Sequence, residues 1–272
     1  MARVIVTRPQ PQATQWAQAF EQAGLTAMVL PLIDIRFAAD RRLLEATWSG
    51  ALSKQAIMFV SAAAVDAITG GLGPTAVRQH AEKGDSAPRL WCTGLGTRAR
   101  LLHAGFSDSL IDAPDAHAVQ YDSEALWARV RHQVSLGDEV LIVRGDDRDL
   151  ESEMVAKDGS LGSGREWLAE QVRASGGLVE YLVAYERTTP NWSTDQRRLA
   201  QTACEDASIW VFSSSRALEN LSQLMPNQSW ARVRAICTHP RVAKVAQGLG
   251  FREVSLSPPG LSAVTASIKS LA

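Results

Sequence analysis

The chain has 272 residues, 46% of them hydrophobic and 21% charged, with a formal net charge of −1 at pH 7. That length is comfortable for two compact domains, and so even a charge balance argues against general nucleic-acid or membrane affinity. No apolar stretch is long enough to span a bilayer, and Met1-Ala2-Arg3 runs straight into Val4-Ile5-Val6 without a signal-peptide layout, so a cytoplasmic protein is expected.

Val4-Ile5-Val6 is a β-branched run of the kind found in buried parallel strands. Trp16, Ala17, Phe20 and Ala23 follow at helical spacing, and Gly24 supplies the stop. Thr26 to Leu30 predicts a second strand, broken by Pro31 and resumed with alternation through Leu32-Ile33-Asp34-Ile35. Further strands are expected at 56–60, 90–93, 140–143, 179–182, 209–212, 235–237 and 254–256. Helical patterns lie between most of them, among them 123–131, 166–175 and 241–249. Parallel strands need such crossovers, so the fold class expected is α/β with two doubly wound parallel sheets. Gly70-Gly71-Leu72-Gly73-Pro74 and the stretch from Lys83 to Pro88 are expected as loops. The polar, glycine-containing stretch 146–164 is longer than a strand-to-helix connection needs, and is either a flap over a site or, preferably, a surface insertion.

The pattern is stated twice. Thr7-Arg8 after the first strand is answered by Arg144-Gly145 after 139–143. Ile57–Val65, carrying Phe59-Val60-Ser61-Ala62, is answered by Trp210–Leu218, carrying Phe212-Ser213-Ser214. Arg89-Leu90-Trp91-Cys92-Thr93-Gly94 is answered by Arg234-Ala235-Ile236-Cys237-Thr238-His239. Repetition of strand, small or hydroxylated turn and helix predicts two similar halves with a cleft between them.

No dinucleotide fingerprint, Walker A sequence or zinc-binding pattern is present, which disfavours a dinucleotide or metal enzyme. Cys92, Cys204 and Cys237 lack paired spacing and are expected as small buried side chains. Gly94 and Gly96 would let the backbone turn tightly into a helix start. Ser61, Ser213 and Ser214 stand where a hydroxyl can cap a helix, which is explanation enough for each alone. Together with Thr97 they repeat hydroxyls and free helix amides at strand C-termini, where open α/β sheets bind ligands. Each such helix end stabilises a carboxylate by about 0.3 to 1 kcal/mol. Arg8 and Arg144 place a basic group at the same rim in both halves, and His239 occupies a repeat turn. Tyr185, one of three tyrosines, lies where a strand leaves the second unit, and packing alone would account for it.

The ordered set Val4-Ile5-Val6-Thr7-Arg8-Pro9, Pro31-Leu32-Ile33-Asp34-Ile35, Phe59-Val60-Ser61, Gly94-x-x-Thr97, Val140–Gly145, Tyr185-Glu186-Arg187, Phe212-Ser213-Ser214 and Gly250-Phe251 resembles the uroporphyrinogen-III synthase family. The resemblance spans essentially the whole chain. It implies two α/β lobes joined by a two-stranded linker near 33–37 and 183–187. The first lobe is then discontinuous, residues 1–35 plus 188–272, and the second is 36–187. Periodicity alone would have given two consecutive halves.

The resemblance also implies a lyase that closes the linear tetrapyrrole hydroxymethylbilane to uroporphyrinogen III, losing water and inverting ring D through a spiro intermediate. No cofactor or metal is used in the family. Its substrate carries eight carboxylates, which suits a site rich in helix N-termini and hydroxyls. Tyr185 matches the family's linker tyrosine and would assist departure of the hydroxyl. Arg8, Ser61, Ala62, Gly94, Thr97, Arg144, Gly145, Ser213, Ser214 and His239 are the substrate-binding candidates. A monomer is expected, with transient contact with hydroxymethylbilane synthase as the one protein partner weighed. Two departures from the family's pattern stand out: Cys237-Thr238-His239 lacks the second Gly-x-x-Thr turn, and the usual glycine–arginine element is displaced to Gly164-Arg165. The competing reading is a non-catalytic two-lobed protein that binds or senses a polyanionic small molecule.

Overall fold

The computed structural model describes residues 3–37, 40–114, 122–146, 164–206 and 208–271. In chain order the first elements are β1 (Arg3–Val6), α1 (Gln12–Gln22), β2 (Thr26–Val29), β3 (Asp34–Phe37), α2 (Arg41–Ala51), β4 (Ala56–Phe59) and α3 (Ala62–Leu72). Then come α4 (Pro74–Ala81), β5 (Arg89–Trp91), α5 (Leu95–Ala104), β6 (Ile111–Asp112), α6 (Ser123–Val130), β7 (Glu139–Gly145) and α7 (Gly164–Ala174). The chain continues with β8 (Leu178–Thr188), α8 (Thr194–Glu205), β9 (Ile209–Phe212), α9 (Ser215–Leu224), β10 (Arg234–Cys237), α10 (Pro240–Gly248), β11 (Glu253–Leu256) and α11 (Leu261–Leu271).

These elements form two compact units. One is Met1–Ile35 with Arg187–Ala272, the other Arg36–Glu186. The chain crosses from one to the other within β3 and within β8, which are neighbours in the sheet of the second unit. The stretches expected at 179–182 and 183–187 are one continuous strand of 11 residues.

The first unit holds the sheet β11-β10-β9-β1-β2, with its paired strands parallel. Alternation along each strand sorts its side chains to two faces. Ile5, Trp210, Phe212, Ala235 and Cys237 face α8, α9 and α10, where Ala203, Leu218, Leu221, Val242 and Ala246 meet them. Val4, Val6, Ile209, Val211 and Ile236 face α1 and α11, packing on Phe20, Val264 and Ile268. Trp230 and Phe251 stack at 5.0 Å between ring centroids, and Phe212 meets Phe251 edge-on at 5.5 Å. Each such aromatic removes roughly 150–250 Å² from water, worth on the order of 4–6 kcal/mol of transfer free energy.

The second unit holds the sheet β3-β8-β7-β4-β5-β6. Ala56, Met58, Trp91, Val140 and Ile142 bury one face against Leu126 and Val130 of α6 and Leu168 and Val172 of α7. On the other face Phe59 meets Phe106 at 6.5 Å, and Phe106 in turn meets Trp48 of α2 and His80 of α4. The two-residue strand β6 escaped the sequence reading because two residues carry no periodicity.

The loop expected at 70–74 is a helix-to-helix junction. Gly70 and Gly71 belong to α3, and only Gly73, at φ 64°, turns the chain into α4. A Cβ on Gly71 would lie 2.4 Å from Leu44 Cδ2, so this glycine serves close packing of α2 on α3. The cysteines are buried free thiols, with burial pushing the pKa of Cys92, Cys204 and Cys237 up to about 12. The 146–164 stretch falls almost wholly outside the described residues. Gly164, the displaced glycine, begins α7.

Candidate functional site

In each unit the strand order reverses at one point, and there the connections leave in opposite directions, which is where open α/β sheets take ligands. In the second unit the order β6-β5-β4-β7-β8 places this point between β4 and β7. In the first, β2-β1-β9-β10-β11 places it between β1 and β9. The C-terminal ends of these four strands carry Ser61, Arg144-Gly145, Arg8 and Ser213-Ser214.

At the second unit's reversal point Ser61 is the N-cap of α3, and its hydroxyl accepts the Ala64 N–H at 3.2 Å. Ala62 is the first residue of that helix. The same Ser61 hydroxyl lies 2.9 Å from the hydroxyl of Tyr185. Ser61 follows β4 and Tyr185 lies on β8, with β7 between those strands and about 4.8 Å from each. The Tyr185 ring therefore crosses over β7, and the residue it crosses is Gly145. A Cβ there would fall 2.6 Å from Cε2, 2.7 Å from Cζ and 3.1 Å from the hydroxyl oxygen. The ladder shifts register between Arg144 and Gly145 to pair Gly145 with Tyr185, and the Asp146 N–H donates to the Tyr185 carbonyl at 2.7 Å. Tyr185 is fully buried. Arg144 lies over the Tyr181 ring at 5.1 Å.

Gly94 is the N-cap of α5 in extended backbone, φ −111°, and Gly96 also has no left-handed angle. The tight turn expected from these glycines is made by one extended residue, so their conformational freedom is not used. Thr97, buried in the first helical turn, puts its hydroxyl 3.7 Å from where a Gly94 Cβ would stand.

In the first unit Arg8 follows β1 with its guanidinium 3.9 Å above the Trp16 ring. It donates to Gln12 Oε1 at 3.2 Å, while its Nε is buried without a hydrogen-bond partner among the described residues. Burial lowers its pKa to about 10, which leaves it cationic at neutral pH. Ser214 is the N-cap of α9 but makes no capping side-chain bond, and Ser213 precedes it. At α10 the exposed His239 caps with Nδ1 accepting the Arg241 N–H at 3.1 Å. Two contributors went unread in the sequence. Thr7, buried, donates to the Val211 carbonyl at 2.6 Å and ties the ends of β1 and β9 together. Trp16 forms the platform for Arg8, and the spacing of four in Arg8, Gln12 and Trp16 was its available signal.

A profile of the HEM4 family, described as uroporphyrinogen-III synthase HemD, matches residues 14–259. The chain belongs to the uroporphyrinogen-III synthase family. Its fold is that of solved uroporphyrinogen III synthases: the enzyme from Helicobacter pylori is 14% identical with a TM-score of 0.61, over 100% of this chain and 99% of the other. A mutant enzyme from the extremely thermophilic bacterium Thermus thermophilus is 13% identical with a TM-score of 0.54, over 100% and 98%. At such identities the likeness carries the fold alone.

Proposed function

We propose that the chain carries out the reaction of its family, cyclising hydroxymethylbilane to uroporphyrinogen III with loss of water and inversion of ring D. The observation that supports a chemical role most directly is the Tyr185 phenol, held at the second unit's reversal point by Ser61 and bedded on Gly145. A phenol is a proton donor at neutral pH and can protonate a hydroxyl as it departs. Departure leaves a cation on an electron-rich pyrrole, so the group assists a step that already runs, and its removal slows turnover without abolishing it. The larger task is to hold the bilane so that the inverted ring closes, and orientation of this kind supplies roughly 7–11 kcal/mol in favourable cases.

Binding of the acidic side chains falls to the strand ends. In the second unit these are the backbone amides of the α3 start at Ser61 and Ala62, the α5 start at Gly94 and Thr97, and Arg144 with Gly145. In the first they are Arg8, the α9 start at Ser213 and Ser214, and the α10 start at His239. Arg8 is the best supported of them. It is a half-buried cation whose hydrogen bond goes to the neutral Gln12, so a carboxylate would supply the charge that this partner lacks. The backbone amides of helix starts add anion affinity without raising the net charge. Among the described residues no helix is long and apolar enough to cross a membrane.

The test is to feed freshly generated hydroxymethylbilane to the purified protein, with neither metal nor nucleotide added, and to separate the uroporphyrinogen isomers after oxidation. Predominantly type III product is expected. Type I alone from folded protein, as in the enzyme-free control, would overturn the proposal and leave a polyanion-binding protein as the reading.

A further inference from the structure

We infer that the Ser61 side chain acts on Tyr185 and not on the substrate: it is a positioning residue that orients the phenol and receives its charge when the proton leaves. This rests on the reading of Tyr185 as the proton donor. At rest either hydroxyl of the pair can donate across the 2.9 Å contact. Once the phenol has given up its proton, only Ser61 can. Ser61 Oγ already accepts the Ala64 N–H at 3.2 Å, in the first turn of α3. An accepted hydrogen bond polarises the hydroxyl and makes it a stronger donor. The chain of donors then runs from Ala64 N–H to Ser61 O–H to the Tyr185 oxygen, with the positive end of α3 behind it. Gly145 completes the arrangement, because any larger residue would lift the ring off β7 and break the 2.9 Å contact.

In the reaction the Tyr185 O–H bond breaks and its proton joins the departing hydroxyl oxygen. That oxygen takes the electron pair of the C–O bond and leaves as water. The positive charge stays on the terminal pyrrole, and the phenolate is held by the Ser61 hydroxyl. Ring closure later releases a proton as the attacked pyrrole regains aromaticity, and that proton returns to the phenolate. Nothing is oxidised or reduced, and one water is lost.

The experiment is a double-mutant cycle on the full chain with hydroxymethylbilane, reading kcat and KM for type III product. Ser61→Gly removes the hydroxyl while glycine remains tolerated at a helix start. Ser61→Asp keeps a strong cap but brings no proton to donate. Both should lower kcat by roughly three- to tenfold with KM unchanged, the size expected for one hydrogen bond made in the transition state. Ser61→Thr, which keeps the hydroxyl, should restore most of the loss. In a Tyr185→Phe background, Ser61→Gly should change nothing further. A raised KM with unchanged kcat in Ser61→Gly would place the hydroxyl on the substrate and overturn the inference, as would losses that add in the double variant. If Tyr185→Phe alone left kcat unchanged, the proton-donor reading itself would fall. A Tyr185→Phe loss beside full kcat in Ser61→Gly and Ser61→Asp would sink only the role of Ser61.

Discussion

Gly145 and Arg8, both candidate site residues, bear on the stability of the fold in opposite directions. In Gly145→Ala the new methyl meets the buried Tyr185 ring rather than the free end of a flexible chain. Overpacking of this kind costs about 1–3 kcal/mol. The variant should therefore melt several degrees lower and lose turnover together, read by a thermal scan and by type III formation; unchanged values in both would contradict the described packing. Arg8 argues the other way. Below pH about 10 its desolvated charge opposes folding, and the opposition fades as the pH rises beyond that value toward the ordinary arginine range. Arg8→Met should leave the melting temperature unchanged or higher, because an apolar side chain avoids the desolvation cost. The same change should raise KM for hydroxymethylbilane about tenfold, the worth of one charge-assisted hydrogen bond. An unaltered KM would remove Arg8 from the binding residues.

At the scale of elements, the contact of α2 with α3 is decided by Gly71 beneath Leu44. Alanine gains about 1 kcal/mol over glycine within a helix, but overpacking against Leu44 costs about 1–3 kcal/mol. The obstacle is the far methyl of a side chain that can turn aside, so the two terms nearly offset and Gly71→Ala should be close to neutral in the wild-type background. With Leu44→Ala the obstacle is gone, so there Gly71→Ala should stabilise by up to about 1 kcal/mol. Chemical denaturation of the four proteins in the cycle reads the difference; an equal gain in both backgrounds would refute the steric account. Three glycines and a proline in five residues look like loop punctuation in the sequence. No local pattern records that one of those glycines answers a leucine 27 positions earlier. The 3.6-residue patterns of α1, α7 and α10, by contrast, needed nothing beyond their own neighbours to be recognised.

Across the whole molecule, the cores described here each draw on one unit only. The second unit also buries a titratable group. His80 lies against the Phe106 edge at 5.4 Å and bonds to the Pro88 carbonyl at 2.9 Å, and burial holds its pKa below the ordinary 6.5. The folded state thus prefers the neutral ring. Its contribution is present above pH 6.5 and lost as the pH falls through the lowered folded value, where the unfolded chain binds the proton more readily. Calorimetry should show a lower melting temperature at pH 5 than at pH 7, the direction that a lowered His80 pKa requires. His80→Gln should remove that part of the shift. An acid shift of equal size in the variant would assign it to other groups.

What depends on near neighbours and on order along the chain is legible in the amino-acid sequence alone. β-branched runs declared the parallel strands, helical spacing declared most crossovers, and the repeated turn residues marked the strand ends where both units carry their reversal points. The ordered motifs were enough to point to the family. Only the tertiary structure decided that Tyr185 reaches across a whole strand to Ser61, that Gly145 is the residue making this passage, and that Gly71 lies under Leu44. It also distinguished Ser61, whose hydroxyl both caps a helix and meets the phenol, from Ser214, which occupies the same kind of position and makes no capping bond. Each of these depends on which strands lie side by side and in what register, and parallel pairing joins residues dozens of positions apart, so no local pattern records it.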